Sequence, residues 1–168
     1  VSRRVAALEP AVVSVTIFES GSAFNVIPGS ARRGGTARSF SPDVRKFLEE
    51  SIHEIVMATA KAYDCEIEID WQPGYPPTVN HAEESARAVD AAANVLGAEN
   101  IITDLQPSMG AEDFAYMLAE KPGSYIWLGA GPAKNGAMLH NDRYDFNDDV
   151  LATGASYWAR LVENELPK

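Results

Sequence analysis

The stretch 41–71, SPDVRKFLEESIHEIVMATAKAYDCEIEIDW, changes from a helical pattern to a strand pattern within its own length and decides the fold class. Ser41 suits the N-cap of a helix, and Pro42 suits the first helical position after it. Apolar residues then recur at steps of three and four, which predicts a helix over residues 42–63 with one buried stripe. Apolar and acidic residues alternate after that, which predicts a half-buried strand over residues 64–72.

Two further strands are predicted on the N-terminal side of this helix. Residues 11–20 are rich in β-branched side chains, and residues 30–40 form a second strand in which Gly34 and Gly35 indicate a bulge or a close backbone approach. Residues 2–8 have the pattern of the tail of a helix. The resulting order, (α)ββαβ, lacks only a first strand and most of a first helix of the ferredoxin-like βαββαβ motif, so we expect the chain to begin inside that motif.

The remaining sequence predicts a second unit in which helices alternate with strands. Three prolines and a glycine in residues 72–79 mark the boundary, so we predict one domain over residues 1–75 and another over residues 76–168. The elements expected in the second domain are a helix capped by Asn80 and Glu83 and ending at Leu96, helices near 112–119 and 147–165, and short strands at 100–104 and 124–129. This alternation is typical of α/β layers, so the whole chain is predicted to be α/β.

Composition and charge exclude several classes of function. The chain has 168 residues, and its net charge is −10 (14 basic minus 24 acidic residues), which argues against binding to nucleic acid or to anionic membranes. No apolar run approaches the roughly 18 residues that span a bilayer. The single cysteine, Cys65, cannot form an internal disulfide and is expected to face inward on its strand. A cytoplasmic location is therefore expected.

The three histidines show no ligand spacing typical of a metal site. His53 and His81 fall on predicted helices, and we expect both at the surface. His140 lies in a loop beyond a predicted strand, where α/β folds place their sites, and the residues leave open whether it is a ligand or a structural loop histidine.

Four other residues have ordinary structural explanations. Gly110 and Glu112 precede a predicted helix, where a glycine permits a turn and an acid stabilises the helix N-terminus. Asn25 suits a turn, and Arg38 suits an exposed strand face.

Four motifs in register nevertheless carry a family resemblance. They are FNVIP (24–28), GTARSF (35–40), SMGAEDF (108–114) and LHNDRYDFND (139–148). Together they resemble the metal-dependent amidohydrolases of the aminoacylase and hippurate hydrolase type, which include hydrolases of indole-acetyl–amino acid conjugates and are related to carboxypeptidase G and succinyl-diaminopimelate desuccinylase. The resemblance implies hydrolysis of the amide bond of N-acyl amino acids.

The resemblance also implies a role for each matching residue. His140 corresponds to the last metal-binding histidine of the family. Asn25 corresponds to an asparagine that reaches the scissile amide or its oxyanion, often across a dimer. Arg38 corresponds to the arginine that pairs with the substrate carboxylate, for which a planar guanidinium is well shaped. Gly110 and Glu112 correspond to a segment that lines the metal pocket.

Members of this family bind two divalent metal ions, usually zinc, with manganese, cobalt or nickel as alternatives, in a catalytic domain interrupted by a ferredoxin-like lid. By resemblance, residues 1–75 are an incomplete lid and dimerisation domain, and residues 76–168 are the C-terminal segment of the catalytic domain. The other metal ligands and the catalytic glutamate would then precede Val1, so we expect the chain to be inactive alone and the intact enzyme to form a homodimer or homo-oligomer through the lid. The alternative is a non-catalytic binding or dimerisation module.

Overall fold

The computed structural model describes residues 3–131 and 136–166 and shows a mixed α/β chain, which confirms the predicted fold class. The chain divides into two compact units. The first comprises Val1–Pro77 together with Ser108–Glu112, and the second comprises Thr78–Pro107 and Asp113–Lys168. The identification of residues 1–75 as a lid and of residues 76–168 as part of a catalytic domain stays a prediction.

The first unit begins with an antiparallel hairpin of β1 (Ala11–Ser20) and β2 (Ala31–Ser39). Its register shifts between Val15 and Ile17, which is a β-bulge. A Cβ atom on Gly35 would lie 2.0 Å from the carbonyl oxygen of Ser14, so the strands approach each other more closely than any side chain at this position allows. Both predicted strands and the predicted bulge are confirmed.

The helix α1 (Pro42–Ala62) follows the hairpin and packs on β2. Its N-cap is Ser41, whose hydroxyl oxygen accepts a hydrogen bond from the backbone N–H of Val44 at 3.4 Å. At the other end Asp64 adopts a left-handed conformation (φ 50°), and the N–H of Cys65 donates to the carbonyl oxygen of Ala60 at 2.9 Å. This is the hydrogen-bond pattern of a Schellman C-cap.

The predicted strand over residues 64–72 is wrong, because this segment pairs with no strand in the described chain and the sheet has only β1 and β2. Cys65 is exposed rather than inward-facing, and Ile67 is 46% exposed. Alternation shows that a segment is suited to half-burial, but a strand also needs a backbone partner within hydrogen-bonding reach, and this segment pairs with neither β1 nor β2. The first unit is therefore ββα instead of ββαβ.

The second unit is helical in its described part. It contains α2 (Ala82–Leu96), α3 (Phe114–Glu120) and α4 (Leu151–Glu165), with 3₁₀ turns at Ala98–Asn100 and Asp148–Val150. Helix α2 packs against α4, and the buried side chains of the pair are Ala88, Ala91 and Tyr157. No described helix is both long enough and apolar enough to cross a membrane.

The strands predicted at residues 100–104 and 124–129 are absent from the described chain. In the segment 124–129, a side-chain amide instead forms hydrogen bonds with the backbone groups of one residue. The Asn80 Nδ2 group donates to the carbonyl oxygen of Tyr125 at 2.8 Å, and the Tyr125 N–H donates to Asn80 Oδ1, also at 2.8 Å. The prediction that Asn80 is the N-cap of α2 is therefore wrong. That position belongs to His81, whose side chain makes no cap hydrogen bond.

Candidate functional site

Arg38 lies at the end of β2, opposite Val12, with an exposed side chain. Its Nη1 atom donates a hydrogen bond to the carbonyl oxygen of Met109 at 2.6 Å. Among the described residues, Arg38 forms no ion pair with a carboxylate. In a chain with a net charge of −10, this guanidinium is therefore a local positive charge without an anionic partner in the described structure.

The segment Ser108–Glu112 belongs to the first unit, although the residues on either side of it belong to the second. The N–H of Gly110 donates to Ser108 Oγ at 3.2 Å. A Cβ atom at Gly110 would lie 3.5 Å from Ser108 Oγ, an ordinary contact, so this turn does not require glycine. Glu112 is half-buried and lies one residue before Asp113, the N-cap of α3.

Asn25 lies in the hairpin loop, at the opposite end of the sheet from Arg38. The loop is exposed, and it is closed by a hydrogen bond from Ser20 Oγ to the carbonyl oxygen of Ser30 at 2.9 Å. Ala31 and Arg38 lie seven positions apart on β2, which at about 3.3 Å per residue separates them by about 23 Å. The structure therefore does not bring Asn25 and Arg38 together within one chain.

His140 lies in an exposed turn of the second unit and has a left-handed backbone (φ 64°). This conformation is uncommon for a residue other than glycine, and such residues are concentrated at functional sites. The turn continues through Asn141, whose Oδ1 accepts a hydrogen bond from the N–H of Arg143 at 2.9 Å. The backbone therefore holds the His140 imidazole on a defined turn at the surface of its unit.

The other two histidines, His53 and His81, have backbone partners within the chain. Both are half-buried, so the prediction that they lie at the surface is wrong. His53 Nδ1 lies 2.9 Å from the carbonyl oxygen of Glu49, and its ring lies 5.8 Å from that of Trp71. His81 Nδ1 accepts a hydrogen bond from the N–H of Gly123 at 3.2 Å. Helical periodicity missed both because the covering residues come from non-helical segments.

The described side chains do not form a complete metal centre. Among residues 3–131 and 136–166, no group of three or more His, Cys, Asp or Glu side chains is placed to hold an ion. The His140 imidazole is a suitable ligand by its chemistry, yet a zinc site takes three or four protein ligands. His140 is thus one candidate ligand rather than a site.

Two surface hollows, of about 320 and 170 Å³, lie along α1 in the first unit. Arg4 and Ile55 line both of them, and the remaining walls are mostly apolar. None of the predicted site residues contributes to either hollow. Neither one is therefore the predicted substrate site.

The contact of Arg38 with Met109 is the feature that sequence reasoning missed. The two residues are 71 positions apart, and the contact uses a backbone carbonyl, which no side-chain pattern can indicate. The one available signal was that both residues lie in motifs of the family resemblance, GTARSF and SMGAEDF.

Comparisons with known proteins place these motifs in a family context. The hippurate hydrolase of Campylobacter jejuni is 37% identical to this chain over 162 residues, which cover 96% of the chain and 42% of that protein. The IAA-amino acid hydrolase ILR1-like 4 of Arabidopsis thaliana is 33% identical over 172 residues, covering 99% of the chain and 39% of that protein. The N-acetylcysteine deacetylase of Bacillus subtilis is 30% identical over 162 residues, covering 96% and 41%. The chain thus spans about two-fifths of the length of these relatives.

A solved structure supports the same relationship. The YXEP protein of Bacillus subtilis, described as a dinuclear metal binding peptidase from the M20 family, superposes with a TM-score of 0.73 at 28% identity, covering 93% of this chain and 42% of that one. A model of the peptidase family M20/M25/M40 matches residues 5–164. Because this match runs over nearly the whole chain, the protein belongs to the peptidase family M20/M25/M40.

Proposed function

We propose that this chain is part of an enzyme that uses divalent metal ions to hydrolyse the amide bond of N-acyl amino acids. The observation that carries the proposal is the exposed Arg38 guanidinium, which has no carboxylate partner among the described residues and contacts the Ser108–Glu112 segment. Relatives that act on such amides by name match the chain over nearly all of its length.

Arg38 supplies a local positive charge to which an anionic substrate can bind in this acidic protein. The net charge of −10 repels a carboxylate at long range, so a local cation must bind it. A guanidinium presents two parallel N–H donors to a carboxylate, which adds orientation to the charge attraction. Gly110 and Glu112 then line the site close to the backbone group that Arg38 contacts.

His140 is proposed as one metal ligand. The match to the family implies divalent metal ions, and zinc is the proposed metal. When bound, such ions polarise the amide carbonyl and lower the pKa of a bound water. One imidazole does not hold an ion against water, so we expect the 168-residue chain by itself to bind metal weakly and to be inactive. Stoichiometric, tight zinc binding in a calorimetric titration of this chain, together with chelator-sensitive hydrolysis, would contradict this part of the proposal.

Asn25 is proposed to contact the scissile amide or its oxyanion in the site of a second copy. The separation of about 23 Å along β2 exceeds the size of a small N-acyl amino acid, so Asn25 and Arg38 of one chain do not serve the same substrate molecule. A homodimer formed through the first unit would supply Asn25 from the partner subunit. If a variant that cannot dimerise were as active as the dimer, this arrangement would be contradicted.

The test of substrate class compares two amides in a polypeptide of the relatives' length that contains this sequence. The substrates are N-benzoylglycine and N-benzoylethylamine, which differ only in that a methyl group replaces the carboxylate. Loss of a charged hydrogen-bonding partner costs about 1.5–3 kcal/mol, so Arg38→Ala should raise KM for N-benzoylglycine about tenfold to a hundredfold. It should leave KM for N-benzoylethylamine within about twofold.

Arg32→Ala is the matched control, because Arg32 lies on the same strand and pairs loosely with Glu19 at 3.7 Å. We expect it to change neither KM. An equal rise in KM on both substrates with Arg38→Ala would show that Arg38 does not bind the carboxylate. Absence of any metal-dependent hydrolysis in the longer polypeptide would instead favour a binding or dimerisation module.

A further inference from the structure

One peptide group of the Ser108–Glu112 segment is held at both of its polar atoms. Its carbonyl oxygen, on Met109, accepts the hydrogen bond from Arg38 Nη1 at 2.6 Å. Its N–H, on Gly110, donates to Ser108 Oγ at 3.2 Å. These two bonds together fix the orientation of the peptide plane and the direction in which the chain leaves toward Glu112.

The bond from Arg38 reaches this segment from far away in the sequence, whereas the bond from Ser108 is local. A local turn bond forms and breaks with the turn itself. The bond from Arg38 instead joins the turn to a strand that is already paired along its whole length with β1. Arg38 therefore anchors this turn to the sheet of the first unit.

A guanidinium carries five N–H donors in a rigid fork, and the carbonyl of Met109 accepts from Nη1. The fork is planar, so a group bound to one arm orients the other arm. Binding the Met109 carbonyl therefore also restricts the direction in which Arg38 presents its remaining donors.

We propose that Arg38 is a positioning residue as well as the carboxylate-binding residue, and that it orients the Met109–Gly110 peptide and thereby the site-lining residues Gly110 and Glu112. The assignment of Gly110 and Glu112 to the site rests on the proposed function. The orientation of the peptide by Arg38 does not, since it follows from the two hydrogen bonds. Arg38 thus links recognition of the substrate carboxylate to the geometry of one wall of the site.

The direct test measures solvent exchange of the Gly110 amide by NMR in the 168-residue chain. Arg38→Ala should speed this exchange about fivefold or more, because the peptide group loses its anchor to the sheet. Ser108→Ala, which removes the acceptor of the Gly110 N–H, should speed it at least as much. Arg32→Ala should leave it unchanged. Unchanged Gly110 exchange in Arg38→Ala, while the amides of β2 exchange as in the wild type, would overturn the proposal.

A kinetic test separates this proposal from the proposed function. In the longer polypeptide, Arg38→Ala should lower kcat on N-benzoylethylamine, which has no carboxylate, by about tenfold, because a displaced site wall is felt by any substrate. An unchanged kcat on this substrate would overturn the positioning role. A rise in KM limited to N-benzoylglycine tests carboxylate binding alone, so either proposal can fail while the other stands.

Discussion

The hairpin of the first unit joins neighbouring segments backbone to backbone, whereas in the second unit the side chains of Asn80 and Arg87 join segments far apart in the sequence. The strands β1 and β2 are separated by a short loop and form a continuous antiparallel ladder. In the second unit, Asn80 bonds both backbone groups of Tyr125, and Arg87 in α2 reaches Glu165 in α4 at 3.2 Å.

The difference follows from the entropy of closing a loop. A ladder forms readily when the partner strand is the next element of the chain, because few residues must be ordered to bring the strands together. In the segment 124–129, Tyr125 forms no ladder; its carbonyl oxygen accepts from the Asn80 amide and its N–H donates to the same amide, 45 positions away. We therefore expect the hairpin to be sensitive to backbone sterics and the second unit to be sensitive to individual polar side chains.

The largest expected effect is that of Gly35→Ala on the hairpin. The added Cβ atom would lie 2.0 Å from the Ser14 carbonyl oxygen, so the strands must separate at the bulge. Overpacking of this kind costs about 3 kcal/mol, to be measured as the change in the free energy of unfolding in urea.

Gly29→Ala is the control, since a Cβ atom there meets no atom within 4 Å. It should change the free energy of unfolding by less than about 0.5 kcal/mol. Equal effects of the two alanines would mean that the close approach of β1 and β2 does not limit the stability of the hairpin.

The next effect is that of Asn80→Asp in the second unit. The carboxylate can still accept from the Tyr125 N–H, but it cannot donate to the Tyr125 carbonyl oxygen and places negative charge against it. We expect a loss of about 1–2 kcal/mol in the free energy of unfolding.

Asn141→Asp is the matched control for this substitution. Asn141 is exposed and its Oδ1 accepts a hydrogen bond from the N–H of Arg143 at 2.9 Å, which an aspartate can still accept. A loss at Asn141 as large as that at Asn80 would indicate that added charge, rather than the lost bridge to Tyr125, destabilises the unit.

A smaller effect, seen only at alkaline pH, is expected from Tyr157 in α4. Burial raises the pKa of the Tyr157 hydroxyl above its ordinary value. The unfolded chain therefore loses this proton first, near pH 10, and the folded state loses stability as pH rises from there through the folded pKa. Thermal melts between pH 9 and 11 should show a shallower loss in Tyr157→Phe than in the wild type, with no difference in slope below about pH 9. An identical alkaline slope in the two proteins would contradict the role of burial.

The smallest effect is expected in the segment 64–72, which has a strand pattern but no partner strand in the described chain. Cys65→Ser should change the free energy of unfolding by less than about 0.5 kcal/mol, because the thiol is exposed. The wild-type thiol should also react with a disulfide reagent about as fast in the native state as in urea. Strong protection of the thiol would mean that this segment pairs as a strand after all.

Local signals predicted the parts of the fold that depend on short stretches of chain. The N-cap at Ser41, the end of α2 at Gly97 (φ 86°) and the bulge near Gly35 were all visible in the sequence. Strands that need distant partners, at 64–72, 100–104 and 124–129, were predicted wrongly. The predicted N-cap at Asn80 failed for the same reason, because a backbone group 45 residues away competes for its side chain.

The candidate site also combines features that the sequence predicted with features that only the structure shows. Its candidate residues, Asn25, Arg38, Gly110, Glu112 and His140, came from motifs, since the chemistry of a carboxylate clamp or an imidazole ligand is a property of residue types in sequence. The structure added the left-handed backbone of His140 and the separation of Asn25 from Arg38 along the hairpin. It also showed that Glu112 is half-buried and lies one residue before the N-cap of α3.

The sequence by itself determined the helices α1 to α4, the hairpin, the acidic charge balance and the family, because all of these are set by residue types over short distances or by motifs in order. The helix tail predicted at residues 2–8 is wrong, since residues 3–9 form turns and bends. Only the tertiary structure decided which strand-like segments pair, which polar side chains cap and which bridge, and that Arg38 holds the Met109 carbonyl. These contacts join residues tens of positions apart, and a short pattern does not specify which distant backbone group will lie within reach. These contacts form only where the free energy gained by packing within each unit offsets the entropy lost in ordering the chain between the two residues.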